Sequence, residues 1–501
     1  MECTASKTNK LRGVGYIAIT TENLSESTRF YTLVMGGKLL YKLSTAGFGF
    51  QGDEFYRGYF YKELQDADRL GVDPATLGVV DIRLGGDYEV HWNFVLLDNV
   101  LLQILQFVPV NSTIEPNPVL KEMKLKSSPA FLRAPTLGIW VHQNVDFNEY
   151  VAQFEEVSHN KAFYEVTFNY PVKLDSKDER NNVPKSDNAL SFYEGDLAGV
   201  SISYAKGPGG EQLKLYHLNN DTKGYVLREY CDRPSGSTAF LDDYYHNMYK
   251  QNAEMPGKNF GVYTFATHTD NLKKSVKFYS EILGGSPLKE PLDRKTIKGD
   301  GIHNLLFQVD EWKAKENNIE PKNAGIPDIS DSGDMKLQTH FVLFDDIQIE
   351  ISQISSTKSN TKFKPKYDVQ TPASINNMFP SFAVDKETNL NEYIKEILDR
   401  STENDFREVR ANSVSETEDN YVVEFTKDDL EGFKFALVKG PSGEQIGFCQ
   451  FTGVAEQVLK NEMLDYGAVS TLFEDTHSIL NGKCDYTCSF KHYYDTIHEE
   501  L

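Results

Sequence analysis

The chain has 501 residues, 40% hydrophobic and 25% charged, with a formal net charge of −22 from 52 Lys and Arg against 74 Asp and Glu. That length exceeds one ordinary core and predicts three or four units of roughly 100–200 residues, while the acidic balance offers no footprint for a nucleic-acid backbone. The chain has no run of about 18 apolar residues to span a membrane, its polar start (Met1–Arg12) lacks a secretory signal's apolar centre, and its five scattered cysteines (Cys3, Cys231, Cys449, Cys484, Cys488) make no disulfide framework. A cytoplasmic protein without nucleic-acid or membrane partners is therefore expected.

In chain order, Val14–Thr20 predicts a strand, and Asn23 an N-cap. Leu24, Phe30, Tyr31 and Val34 then recur at helical spacing up to the stop at Gly36-Gly37. Strand-like segments follow, the last two joined by a turn at Asp98-Asn99. Segment 108–133 is rich in Pro, Ser, Thr, Asn and Lys and reads as a linker, as does 355–377. Beyond the first linker, Leu213 and Leu215 alternate with Gln212, Lys214 and Tyr216 after a Gly-Pro-Gly-Gly turn. Later Ile347, Ile349 and Ile351 alternate with Gln348, Glu350 and Ser352, one face apolar and one polar.

Self-comparison organises these pieces. Gly13, Asn23, Leu24, Ser27, Phe30 and Tyr31 recur as Gly261, Asn271, Leu272, Ser275, Phe278 and Tyr279, each 248 positions on. Asn148, Tyr150, Phe163 and Asn169 recur as Asn391, Tyr393, Phe406 and Asn412, 243 positions on, and Lys206–Gln212 as Lys439–Gln445, 233 on. The chain thus reads as an internal duplication, 1–252 and 253–501. Four modules follow, at 12–108, 135–230, 259–354 and 378–455, with a helical tail at 456–501.

A strand, an Asn-Leu-x-x-Ser-x-x-Phe-Tyr helix, a Gly-Gly turn and three strands resemble the module of the vicinal oxygen chelate superfamily (glyoxalase, bleomycin resistance, extradiol dioxygenase). The Gly-Pro-x-Gly-Glu-Gln turns resemble that family's turn before its last strand. The resemblance implies an α+β fold: four βαβββ modules forming two paired, curved mixed-sheet cavities, with helices on the outside and polar strand faces lining a pocket in each half.

The resemblance also implies a divalent metal, held by His or Gln of the first strand and Glu of the last strand of each paired module, to polarise vicinal oxygens. The first-strand positions fall on Tyr16, Thr136, Thr264 and Phe379, and the last-strand positions on Gln103, Lys214, Glu350 and Gly447. Grouped by halves, these are Tyr16, Gln103, Thr136 and Lys214 in one, and Thr264, Glu350, Phe379 and Gly447 in the other. Neither is a metal set: the first includes Lys214, which when protonated has no lone pair to give, and in the second only Glu350 keeps the family's carboxylate. His142 and His268 keep the ligand parity further along their strands, and His268 with Glu350 is the one displaced pair to consider.

The expected function is therefore binding of a small organic molecule without a metal or other cofactor. Tyr16, Gln103, Thr136, Lys214, Tyr216, Thr264, Gln348 and Phe379 are the candidate ligand contacts, with one buried charge per cavity, Lys214 or Glu350, to orient the ligand. The alternatives are a divalent-metal lyase, isomerase or ring-cleaving dioxygenase with displaced ligands, a metal-free enzyme with Glu350 as general base, and a scaffold with vestigial cavities. Oligomeric state is not legible in the sequence.

Overall fold

The computed structural model describes residues 10–48, 53–97, 100–111, 114, 135–141, 146–172, 187–192, 199–218, 259–287, 295–297, 300–321, 326, 335–344, 347–356, 371–375, 377–415, 417 and 419–464. The first unit comprises β1 (Leu11–Thr20), α1 (Leu24–Leu33), β2 (Lys38–Phe48), α2 (Asp53–Leu70), β3 (Tyr88–Leu97) and β4 (Val100–Pro109). The second comprises β5 (Thr136–Val141), α3 (Phe147–Asn160), β6 (Thr167–Phe168), β7 (Leu190–Ser191), β8 (Val200–Lys206) and β9 (Gln212–Leu218). In the third are β10 (Asn259–His268), α4 (Leu272–Lys277) continuing as a π-helical turn (Phe278–Ile282), β11 (Ser286–Pro287), β12 (Lys295–Ile297), α5 (Asp300–Glu316), β13 (Met335–Phe344) and β14 (Ile347–Ser356). The fourth holds β15 (Met378–Val384), α6 (Leu390–Glu403), β16 (Arg410–Ala411), β17 (Val423–Glu424), β18 (Phe433–Lys439), β19 (Gln445–Phe451) and α7 (Gly453–Leu464).

Local chemistry explains the helix starts. Asn23 accepts a hydrogen bond from the backbone N–H of Glu26, and Asn271 from that of Lys274, so each caps the helix that follows. Asp146 and Asn389 cap α3 and α6 in the same way. No helix among the described residues is long and apolar enough to cross a membrane.

Two mixed sheets form, and they join units from different halves. One runs β16-β18-β19-β15-β1-β4-β3-β2, the other β11-β13-β14-β10-β5-β9-β8-β6. The first unit thus pairs with the fourth through antiparallel β1 and β15, and the second with the third through antiparallel β10 and β5. Grouping the site residues half by half is corrected by this topology: each inner face draws on both halves.

Alternation along the strands gives each sheet two faces. Ile17, Leu102, Leu215, Ile349 and Phe382 turn to one side, where they share a single apolar cluster with Phe30, Phe154, Phe278 and Ile394 of the four capped helices. These helices lie outside each sheet, as expected, yet the cluster they share makes them a common core for both sheets. Tyr31 of α1 donates to Glu211 at 2.9 Å, and Tyr279 donates to Glu444 at 3.3 Å, tying each helix layer to the Glu of a Gly-Pro-x-Gly-Glu-Gln turn.

The sequence reading supplied strands, and no helix, between Gly37 and the last hairpin. The structure places α2 there, and α5 at the corresponding point of the third unit. Both helices cover the sheet face opposite the shared core. The side-chain amide of Asn412 accepts from the backbone N–H of Lys62 and donates to the carbonyl of Gly58, the two groups an i→i−4 helical bond would join. Asn169 accepts from the backbone N–H of Val309 in α5. A buried ion pair accompanies each amide: Lys439 with Glu63 of α2, and Lys206 with Asp310 of α5.

Candidate functional site

The inner face of the first sheet gathers Tyr16, Gln103, Phe379 and Gly447. Tyr16 and Phe379 belong to an apolar cluster with Phe55 and Tyr59 of α2 and with Trp92, Phe94, Phe433 and Phe451. Ring centroids there lie 4.9 Å apart for Phe55 and Tyr59, and 4.7 Å apart for Phe433 and Phe451. Such contact is the packing of an ordinary core. Gln103 is 2% exposed, and its carbonyl oxygen has no hydrogen-bond partner among the described residues. Gly447 stands where a Cβ would come 2.7 Å from the hydroxyl of Ser381.

On the inner face of the second sheet, Thr136, Lys214, Thr264 and Glu350 come together from the second and third units. Strands β9 and β14, which carry Lys214 and Glu350, flank β5 and β10. Three strand spacings amount to about 14 Å, yet the Lys214 ammonium lies 3.0 and 3.2 Å from the two Glu350 oxygens. The sheet must bend to bring the two side chains together, and both extend across the bend. The expectation of one buried charge in each cavity is corrected: both charges occupy one inner face, and they pair.

Tyrosines complete the cluster. Tyr216 donates its phenol to Glu350 at 2.7 Å. The Lys214 ammonium stands 4.3 Å from the centroid of the Tyr216 ring and 5.3 Å from that of Tyr204, within reach of both π faces. Burial raises the Tyr216 phenol well above its ordinary value, helped by the Glu350 charge. Burial pushes Tyr204 up to about 12. For Lys214 burial works against the charged form, but Glu350 and Tyr204 outweigh it and hold the ammonium above its ordinary value. Lys214 is therefore a charged ammonium and both phenols are protonated at neutral pH.

Gly138 makes the arrangement possible. It is the β5 neighbour of both Lys214 and Thr264. A Cβ there would meet the Thr264 hydroxyl at 2.1 Å and the Tyr216 ring at 2.9 Å. Across the sheet, Thr136 and Ala266 are partners, and Ala266 is in turn the partner of Glu350. Gln348 is the partner of Thr264 and is buried.

His268 lies on the same face of β10 as Thr264 and Ala266. Burial lowers its imidazole to about 4, with Glu350 opposing and Lys214 reinforcing the shift, so the ring is neutral. It is 8% exposed, and its Nδ1 makes no hydrogen bond among the described residues. His142 lies outside the described residues.

A divalent cation does not fit this set. Glu350 is its one carboxylate, and an ammonium and a phenol already occupy both oxygens. Among the described residues no three His, Cys, Asp or Glu side chains gather to hold an ion.

Sequence reasoning missed Tyr204 and Gly138. Tyr204 had a signal: β8 and β9 are antiparallel about the Gly207–Gly210 turn, so Tyr204 faces Lys214 as Lys206 faces Gln212. Gly138 had none, since its role depends on which strand lies alongside.

No family model matches the sequence, and no curated protein does. Among solved structures, the chain is similar to glyoxalase I from Zea mays (9% identity, 91% of this chain and 95% of that one, TM-score 0.37). It is also similar to a putative dioxygenase from Bacillus subtilis (9% identity, 95% and 98%, TM-score 0.40). A glyoxalase family protein from Bacillus cereus matches over 38% of this chain and 91% of its own (14% identity, TM-score 0.21). With its βαβββ units joined in pairs through their first strands, the chain has the vicinal oxygen chelate fold.

Proposed function

We propose that the protein binds a small organic molecule, without a metal ion, on the inner face of β5, β9, β10 and β14. The first sheet then serves as scaffold. The observation that carries this reading is the buried Lys214–Glu350–Tyr216 cluster, in which Lys214 and Glu350 stand at positions where the family resemblance expects metal ligands. Desolvating an ion pair is costly, and an apolar replacement of similar volume is often neutral or stabilising by comparison. Polar groups kept at the centre of one inner face while aromatic residues fill the other fit a recognition role. A metal-dependent reaction would require Lys214 to leave Glu350.

Elemental analysis of the purified protein, followed by small-molecule binding with and without a chelator, tests the proposal. Binding unchanged by the chelator and by removal of trace metal is expected. A stoichiometric Fe, Mn, Ni or Zn ion that Glu350→Gln releases, with loss of binding, would overturn it.

A further inference from the structure

We infer that the ligand class is a small amino-acid-like zwitterion, which inserts between Lys214 and Glu350 and takes one charge of each. This inference rests on the proposed binding function. The pair and neutral His268 together carry no net charge. A ligand of net charge would leave one buried charge uncompensated, which is strongly unfavourable. A zwitterion exchanges one compensated pair for two: its carboxylate meets the Lys214 ammonium, and its ammonium meets Glu350.

The surroundings of the pair suit both ends. The Tyr204 and Tyr216 rings already bracket an ammonium, at 5.3 and 4.3 Å from Lys214, and the same faces would attract a ligand's organic cation. A second observation points to an occupant. Nδ1 of His268 is buried and without a hydrogen bond among the described residues, on the face that holds the pair. A neutral imidazole there adds a polar contact while leaving the charge balance unchanged. The equivalent of Lys214 in the first sheet is Gly447, with Gln103 in place of Glu350, so that sheet has neither charge to offer.

The test is calorimetric titration of the full-length protein with glycine, β-alanine and glycine betaine, beside acetate, tetramethylammonium and N-methylacetamide. At least one zwitterion should bind saturably, about tenfold or more tighter than any singly charged or neutral probe. The double variant Lys214→Met/Glu350→Gln removes both charges at similar volume, and so keeps the fold where either single change strands a buried charge. It should lose the zwitterion response while retaining native circular dichroism. Binding of acetate, tetramethylammonium or N-methylacetamide in preference to every zwitterion overturns this inference and leaves the proposed binding function standing. Zwitterion binding undiminished in the double variant also overturns it. Failure of all six probes overturns this inference, while the proposed binding function stands or falls on the metal and chelator experiment.

Discussion

Lys214 and Glu350 belong to different halves of the sequence, 136 residues apart, and meet at 3.0 Å across two intervening strands. Their pairing makes each dependent on the other. Lys214→Met or Glu350→Gln alone should destabilise the protein by about 3–5 kcal/mol, because each leaves a buried group unpaired. The double variant should lose less than either single one. Urea denaturation of the three variants checks this, and a double-variant loss equal to the sum of the singles would show that the residues are not coupled. The ammonium is held above its ordinary value. Its contribution is therefore fully present below the unfolded lysine value and lost only as pH rises through the higher folded one.

Gly138→Ala should cost about 1–3 kcal/mol, since its methyl group has nowhere to go but into the Thr264 hydroxyl and the Tyr216 ring. Gly301→Ala is the control. Its Cβ would have no neighbour nearer than 3.7 Å, so it should be neutral or slightly stabilising in a thermal melt.

His268 sets an acid limit. Its folded value of about 4 lies below the ordinary 6.5, so between those pH values the unfolded chain binds a proton that the folded chain refuses. Stability should fall as pH drops through this window, by about 3 kcal/mol near pH 4. The size of that fall should shrink in His268→Gln. Denaturation midpoints from pH 7 to pH 4 for both proteins give the comparison, and parallel curves would rule the effect out.

Asn412→Ala should loosen α2 from the first sheet. The amide serves Lys62, Gly58 and Tyr59 together, and each buried group left unsatisfied costs about 1–3 kcal/mol. Hydrogen exchange resolved by segment should show faster exchange in α2 than in α5, and the reverse for Asn169→Ala.

Much of the fold was legible because its signals are local. Asn23 and Asn271 cap helices where their spacing predicted, and the two faces of IQIEISQI part as their alternation required. Helix α2 was hidden for a physical reason: its buried face includes Lys62 and Glu63, whose partners lie in the fourth unit, so charges interrupt the apolar period. Helix α5 buries Ile302, Leu305, Leu306, Val309 and Trp312 at helical spacing, a signal that was there to be found. Regrouping the site required knowing that β1 pairs with β15 and β10 with β5. Pairing between strands hundreds of residues apart leaves no trace in either strand's own pattern.

The strand order of the two sheets also sets a sequence of events. The second sheet is complete within residues 136–356, while the first needs β1–β4 and then β15–β19. On the ribosome, where domains form as the chain emerges, the sheet bearing Lys214 and Glu350 can close while the opening strands still wait for a partner. Those strands carry unpaired edges throughout that interval. The long-range β1–β15 closure, entropically the most expensive step, then comes last, around a centre already built.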